Sequence, residues 1–512
     1  MQTTMGTAVN KIQRRPLSLR KAADAVQTPQ TLSAIRTSAT ILTVCCFAFL
    51  TILSLFIMHK YDLGDDAYIT ARYAQNLANG YGWVWNPGST PTDGTTAPLW
   101  TIILASVKLL HLPFVATTIV LNALTYAAFG TASCKLSGAI AGRLGYAICL
   151  ICVCALTVLL VWCIGMETSL YGAVVALTFL SWHRGQPRWA FALASLLPLV
   201  RGEGILLLGV LYMTIVLQRR VRELWFVAII ALLPLLCWEV SSLWMFHALL
   251  PNSFLAKHVT SAGVGGKVNL QTFIAFFWPH APSVWLGIAT VLGLVVARRI
   301  ETIRVIGLWL TVYVLFYAEV ASVPEQGWYI LPAWWVSVIL IASGLGLGLR
   351  RVAGRVPRPE LILGTLCGAC LVLGLLPAPD LLRREWLSPP PRPDVRREAA
   401  DYLATHAKGL VAAAEVGVVG YYSHDPVVDM LGLVSPEVVP HLPQRDYGWV
   451  IAKEHPRYVF VWPKPEQGSC FEIVCSVWST PWFRHHYHIV HRWLDQGYVL
   501  LELNNDVKTR AN

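Results

Sequence analysis

Residues 61–88, YDLGDDAYITARYAQNLANGYGWVWNPG, put Asp62, Asp65, Asp66, Arg72 and a row of aromatics directly after an almost purely apolar run. A carboxylate at a membrane surface can act as general base on a hydroxyl. A nearby cation can hold a phosphate leaving group. Together these groups suit transfer of a sugar from a lipid phosphate to an alcohol. Asp65 and Asp66 are adjacent, Arg72 stands two turns on, and TDGTTAPLW adds Asp93 before the next apolar run. The competing reading of Asp65 is a helix N-cap, because acids in a first turn complement the helix dipole. Carboxylates at 65, 66 and 93 could also supply oxygen ligands to a divalent metal, although their spacing does not require one. No Gly-rich phosphate loop is seen at any strand–helix junction.

Further polar groups interrupt apolar surroundings. Glu167, in CIGMETSLY, stands at a helix start and either caps it or contacts substrate. Arg201 and Glu203, in PLVRGEG, either pair with each other or contact donor phosphate or sugar. Lys257 and His258 follow LPNSFLA, where a cation either meets a phosphate head group or is solvated. His280 reads as structural, while Glu325 and Trp328 could line a sugar pocket.

These groups need elements that hold them. The spacing predicts a helix from Asp65 to about Asn79, ended by Gly80, with small residues on one face and Asp65, Arg72 and Asn76 on the other. Trp83 and Trp85 read as interfacial anchors. In the 512 residues, 55% are hydrophobic and 13% charged. Apolar runs at 38–58, 224–246, 304–323 and 329–349 match the roughly 20 helical residues that cross a bilayer. The net charge of +11 does not imply nucleic acid, because Lys11, Arg14, Arg15, Arg20, Lys21 and Arg36 precede the first span and the rest gather mostly in short loops. Residues 134–143, 183–188, 218–223, 298–304 and 350–358 read as cytoplasmic basic loops. That places 61–98, 165–169, 201–204, 250–258, 322–328 and everything after Pro377 outside. Residues 97–132 hold two apolar runs, broken near Pro113, but make one net crossing, so one run is re-entrant or partial. The total is an odd number of crossings, about eleven. Cys149, Cys152 and Cys154 have only apolar neighbours and read as core. Cys470 and Cys475 could form a disulfide in an oxidising compartment.

After Pro377 the composition changes. The expected organisation is a basic cytoplasmic tail (1–37), a transmembrane domain (38–376) with its first external loop at 59–96, a Pro-rich linker (377–395) and an extracytoplasmic α/β domain (396–512). Residues 397–407 and 446–455 read as helices, and 409–422 and 456–462 as buried strands. Asp429 and His424 lie near strand ends, where ligands often bind. The domain suits acceptor recognition, a lid or a stabilising cap.

DDAYITARYAQNLANGYGWVWNPG…TDGTTAPLW, GMETSLY, PLVRGEG and LLPNSFLAK occur in that order. Over roughly residues 40–350 the chain resembles the bacterial GT-C-type integral membrane glycosyltransferases. It is similar there to the group of the terminal arabinofuranosyltransferase of mycobacterial cell walls. The resemblance implies an all-α polytopic membrane fold, polyprenyl-phosphate sugar donors, and a carboxylate pair at Asp65 and Asp66, with Asp65 as base. The acceptor would be a glycan, lipid or protein hydroxyl on the outer face of a bacterial plasma membrane. Relatives differ in metal use, so no cofactor is assigned. Two departures stand out: Asp93 takes the place of a usual Glu before Gly, and Gly202 that of a usual Pro between Arg201 and Glu203. The competing function is a transporter or flippase of lipid-linked glycans, which should carry mid-bilayer charges and internal repeats.

Overall fold

The computed structural model describes residues 29–260, 268–275, 283–321, 323, 326–350, 365–372, 383, 394–461, 477, 481–493 and 497–504. His280, Glu325, Cys470 and Cys475 lie outside the described residues, as does most of the 377–395 linker.

Among the described residues, five helical stretches are long and apolar enough to cross a membrane: Thr37–Met58, Phe114–Cys163, Leu224–Phe246, Glu301–Val320 and Gly327–Leu349. Shorter apolar helices at Pro98–Leu109, Pro187–Val200, Gly202–Leu217 and Val284–Ala297 accompany them. The chain is a membrane protein; the count of eleven crossings is not reproduced by length and composition alone. The Phe114–Leu156 helix is really two. Gly142, at φ 68°, breaks it, and Tyr126 Oη donates to the Val153 carbonyl across the resulting hairpin. Residues 134–143, expected to be a basic loop, are therefore helix ends around one reversed residue. Of the two apolar runs in residues 97–132, the first, Pro98–Leu109, is a short helix of 12 residues, too short to span.

The Gly327–Arg350 helix is the axis of the bundle and is almost wholly buried. Lipid tails are as apolar as leucine, so helices associate through close packing of small residues. A Cβ on Gly344 would stand 2.3 Å from Gly293 Cα, and one on Gly172 3.0 Å from the Trp335 ring. Trp335 in turn packs edge-on against Tyr126, with ring centroids 5.2 Å apart.

The chain ends in a five-stranded mixed sheet of order β2-β1-β3-β5-β4. The strands are β1 (Val411–Ala413), β2 (Val427–Asp429), β3 (Tyr458–Val461), β4 (Tyr487–Trp493) and β5 (Tyr498–Leu503). β1 runs parallel to β2 and β3, with Val411 opposite both Val427 and Tyr458. β5 is antiparallel to β3 and β4. Residues 409–422 were expected to be one strand, but only Val411–Ala413 pairs. Gly417–Ser423 is a helix packed between the Asp65–Ala78 loop helix and the Val395–Thr405 helix. Its glycines explain the change, because Gly417 and Gly420 lie where any Cβ would strike the helix of the 59–96 loop: 1.9 Å from the Asp65 carbonyl oxygen and 2.6 Å from an Arg72 nitrogen. Docking against that loop, rather than pairing in the sheet, decides this segment.

Candidate active site

The loop helix runs Asp65–Ala78, starting where expected. Its two leading acids diverge. Asp65 accepts the amide protons of Gly417 (3.2 Å) and Val418 (2.8 Å), so its carboxylate is turned toward the C-terminal domain. Burial, together with Glu415 and Asp66, outweighs Arg396 and pushes its carboxyl up to about 7. Asp66, one residue and about 100° further round the helix, faces a small chamber instead. Its Oδ2 stands 3.7 Å from Lys257 Nζ.

Lys257 projects from the Asn252–Thr260 helix and donates to Tyr329 Oη at 3.2 Å. Burial works against its charge, but Tyr329 and Asp66 overcome that and raise its pKa. Behind it Arg201 is clamped by two carboxylates, Glu167 at 2.9 Å and Glu203 at 2.5 Å, with 4% of its side chain exposed. It also donates to Thr168 Oγ1 and lies 5.4 Å from the Tyr329 ring centre. The turn that presents Arg201 needs glycine, because a Cβ on Gly204 would stand 2.3 Å from the Leu197 carbonyl carbon. The turn that presents Glu167 is fixed by Asn122, which accepts from the Gly165 amide and donates to the Met166 carbonyl. Gly165 sits there at φ 86°, a conformation that glycine adopts without strain.

Two adjoining cavities meet at Arg201, Lys257, Tyr329, Thr95 and Thr96. The smaller, about 40 Å³, is the polar chamber with Asp66, Thr70, Glu167 and Ser253 in its wall, roofed by Leu433 of the C-terminal domain. The larger, about 570 Å³, is bounded mostly by apolar side chains such as Leu235, Trp238, Leu250, Phe254 and Phe316, with Asp93, Glu203 and Glu239 at its polar edge. A mostly apolar cavity with Arg201 and Lys257 in its wall suits a lipid carrying an anionic head group.

The structure thus brings together Asp66, Asp93, Glu167, Arg201, Glu203 and Lys257. Asp65, Arg72 and His258 line neither cavity. Arg72 is buried and donates to the carbonyls of Trp85, Gly420 and Asp425 and to Asn86 Oδ1. It stitches the loop to the C-terminal domain and has no face turned to a donor phosphate. His258 is exposed, its ring stacked on Phe254. Asp429 lies at the end of β2, but its carboxylate is occupied by the amides of Leu431, Leu433 and Val434. Glu239, Tyr329 and Ser253 were missed by the sequence reading. Glu239 alone left a signal, as a lone acid inside an otherwise apolar span. Among the described residues no three His, Cys, Asp or Glu side chains gather closely enough to hold a metal ion. The trio of 65, 66 and 93 does not fit one, since Asp65 is engaged by backbone amides.

Asp93 Oδ1 is buried without a hydrogen-bond partner. Burial, with Glu239 nearby, raises its carboxyl to about 7. The unfolded chain would release that proton near pH 3.9, so between about pH 4 and 7 the folded state holds more protons than the unfolded one. Stability should therefore fall as pH rises through this window. Asp65 and Asp429, also raised to about 7 by burial, contribute in the same sense. Asp93→Asn is expected to remove its share, about 1–3 kcal/mol. Melting curves at pH 5 and 7.5 should show a smaller difference for the variant than for the wild type; equal differences would refute the assignment.

A family model described as a domain of unknown function (DUF8728) matches residues 391–509. No curated protein matches the chain. Among solved structures, ArnT from Cupriavidus metallidurans in the apo state superposes with a TM-score of 0.58 at 15% identity, covering 91% of this chain and 98% of that one. The same protein bound to undecaprenyl phosphate gives 0.55 at 15% identity over the same shares. The oligosaccharyltransferase AglB from Archaeoglobus fulgidus, in complex with an inhibitory peptide and a dolichol-phosphate, gives 0.53 at 10% identity, covering 88% and 73%. From its membrane helices to its C-terminal sheet, the chain has the GT-C fold of these membrane glycosyltransferases.

Proposed function

We propose that the protein transfers a sugar from a polyprenyl-phosphate donor to an acceptor hydroxyl on the extracytoplasmic face of a bacterial plasma membrane. The carrying observation is the junction of an apolar cavity of about 570 Å³ with a polar chamber at Arg201 and Lys257, of which Lys257 faces the carboxylate of Asp66. The prenyl chain occupies the apolar cavity and the donor phosphate lies against Lys257. The sugar projects into the chamber, where Asp66 rather than Asp65 takes the acceptor proton. The acceptor oxygen then bonds to the anomeric carbon as the carbon–oxygen bond to phosphate breaks. Polyprenyl phosphate leaves with the electron pair, and Lys257 balances its charge. Arg201 is already neutralised by Glu167 and Glu203, so it braces Tyr329 and the chamber wall more than it adds free charge. The polyprenyl and dolichyl phosphates in the ArnT and AglB structures support this class of donor. A transporter reading has no comparable support, whereas Asp66, Glu167, Arg201, Glu203 and Lys257 gather around one junction of two cavities.

The test is direct. Purified protein is given a panel of polyprenyl-phosphate sugars in detergent, and release of polyprenyl phosphate is followed. Cleavage of at least one donor, dependent on Lys257, is expected. Intact donors throughout, with folded protein, would overturn the reading.

A further inference from the structure

The Asn252–Thr260 helix carries Lys257 toward the chamber. Ser253 stands four residues earlier, in its first turn, and so on the same helix face. Ser253 is 4% exposed, lines the chamber and has no hydrogen-bond partner for its Oγ. A buried hydroxyl without a partner costs free energy. Helix hydroxyls ordinarily avoid that cost by bonding back to a carbonyl a turn earlier, as Thr118, Thr178 and Ser337 do here. At Ser253 the turn before is not helix, since the helix begins only at Asn252 and residues 247–251 before it are a non-helical connection. The hydroxyl is left aimed into the chamber. The partial positive charge of a helix N-terminus surrounds it, and the Lys257 ammonium follows one turn on.

We propose that Ser253 is a ligand of the donor phosphate: its hydroxyl donates a hydrogen bond to a non-bridging phosphate oxygen that Lys257 also contacts. This rests on the donor class proposed above. Asn252 fixes the geometry from outside, its amide donating to the Asp93 carbonyl and its side chain to the carbonyls of Gly432 and Leu433. The helix start cannot drift without disturbing both the external loop and the C-terminal roof.

The experiment compares full-length wild type, Ser253→Ala and Ser253→Thr in detergent, with undecaprenyl phosphate and the uncharged alcohol undecaprenol as probes. Wild type should bind the phosphate more tightly than the alcohol. Ser253→Ala should lose about tenfold in affinity for the phosphate, the scale of one hydrogen bond to a charged group. It should bind the alcohol as wild type does, and Ser253→Thr should recover part of the loss. Without ligand, Ser253→Ala should melt at or above the wild-type temperature, because it removes an unpaired buried hydroxyl; a structural serine would melt lower. Equal phosphate affinity in wild type and Ser253→Ala overturns the Ser253 assignment alone. Wild type that does not prefer the phosphate to the alcohol overturns the donor reading, and this inference with it.

Discussion

Asp66→Asn is expected to lower the rate of sugar transfer by about 10²- to 10⁴-fold, the usual worth of a positioned general base. Asp65→Asn is expected to keep the rate within several-fold while lowering the melting temperature. The contrast follows from where two neighbouring carboxylates point. Asp66 reaches the chamber and stands 3.7 Å from Lys257. Asp65 accepts two backbone amides at the start of the Gly417–Ser423 helix. An amide in its place can accept one of those bonds but not both equally, a loss of about 1 kcal/mol. Rates of polyprenyl-phosphate release, measured beside thermal melts, separate the two effects. A collapse of rate in Asp65→Asn with an unchanged melt, and full activity in Asp66→Asn, would reverse the roles.

The second large effect concerns stability. Arg201→Met should destabilise the protein by about 3–5 kcal/mol, because it leaves Glu167 and Glu203 buried and facing each other without a cation. Their side chains are 7% and 8% exposed, so water screens them little. Adding Glu167→Gln and Glu203→Gln to Arg201→Met should recover much of the loss, because the charges are then removed together. Thermal denaturation of the three proteins in one detergent reads this. If Arg201→Met melts with the wild type, the triad is hydrated and the burial argument fails. Arg201→Met should also be inactive, since Arg201 walls both cavities and lies under Tyr329, the partner of Lys257.

Many contacts of the C-terminal domain with the membrane part run through its backbone groups: Gly417 and Val418 amides to Asp65, the Gly420 and Asp425 carbonyls to Arg72, and the Gly432 and Leu433 carbonyls to Asn252. Asp429 closes the loop that carries Leu433 over the chamber. The domain is therefore part of the chamber wall as well as a cover.

Much of the framework was legible in the chain. An apolar run of about 20 residues has one stable solution in a bilayer, a helix, because lipid offers the backbone no hydrogen bonds. So Leu224–Phe246 emerged with the expected limits and the first span within one residue of them. The loop helix was legible for a similar reason: acids at its start, small residues on one face and a glycine beyond its end are local signals. Local signals could not say which neighbour each face meets. Asp65 and Asp66 carry the same charge at adjacent positions, and Arg72 looked as suited to a phosphate as to a set of carbonyls. Only the docking of a helix some 350 residues later in the chain turned Asp65 and Arg72 into fasteners and left Asp66 to the chamber. Ser253 and Tyr329 were invisible for the same reason. Their chemistry is ordinary in sequence and becomes unusual only where folding sets both in the chamber wall with Lys257.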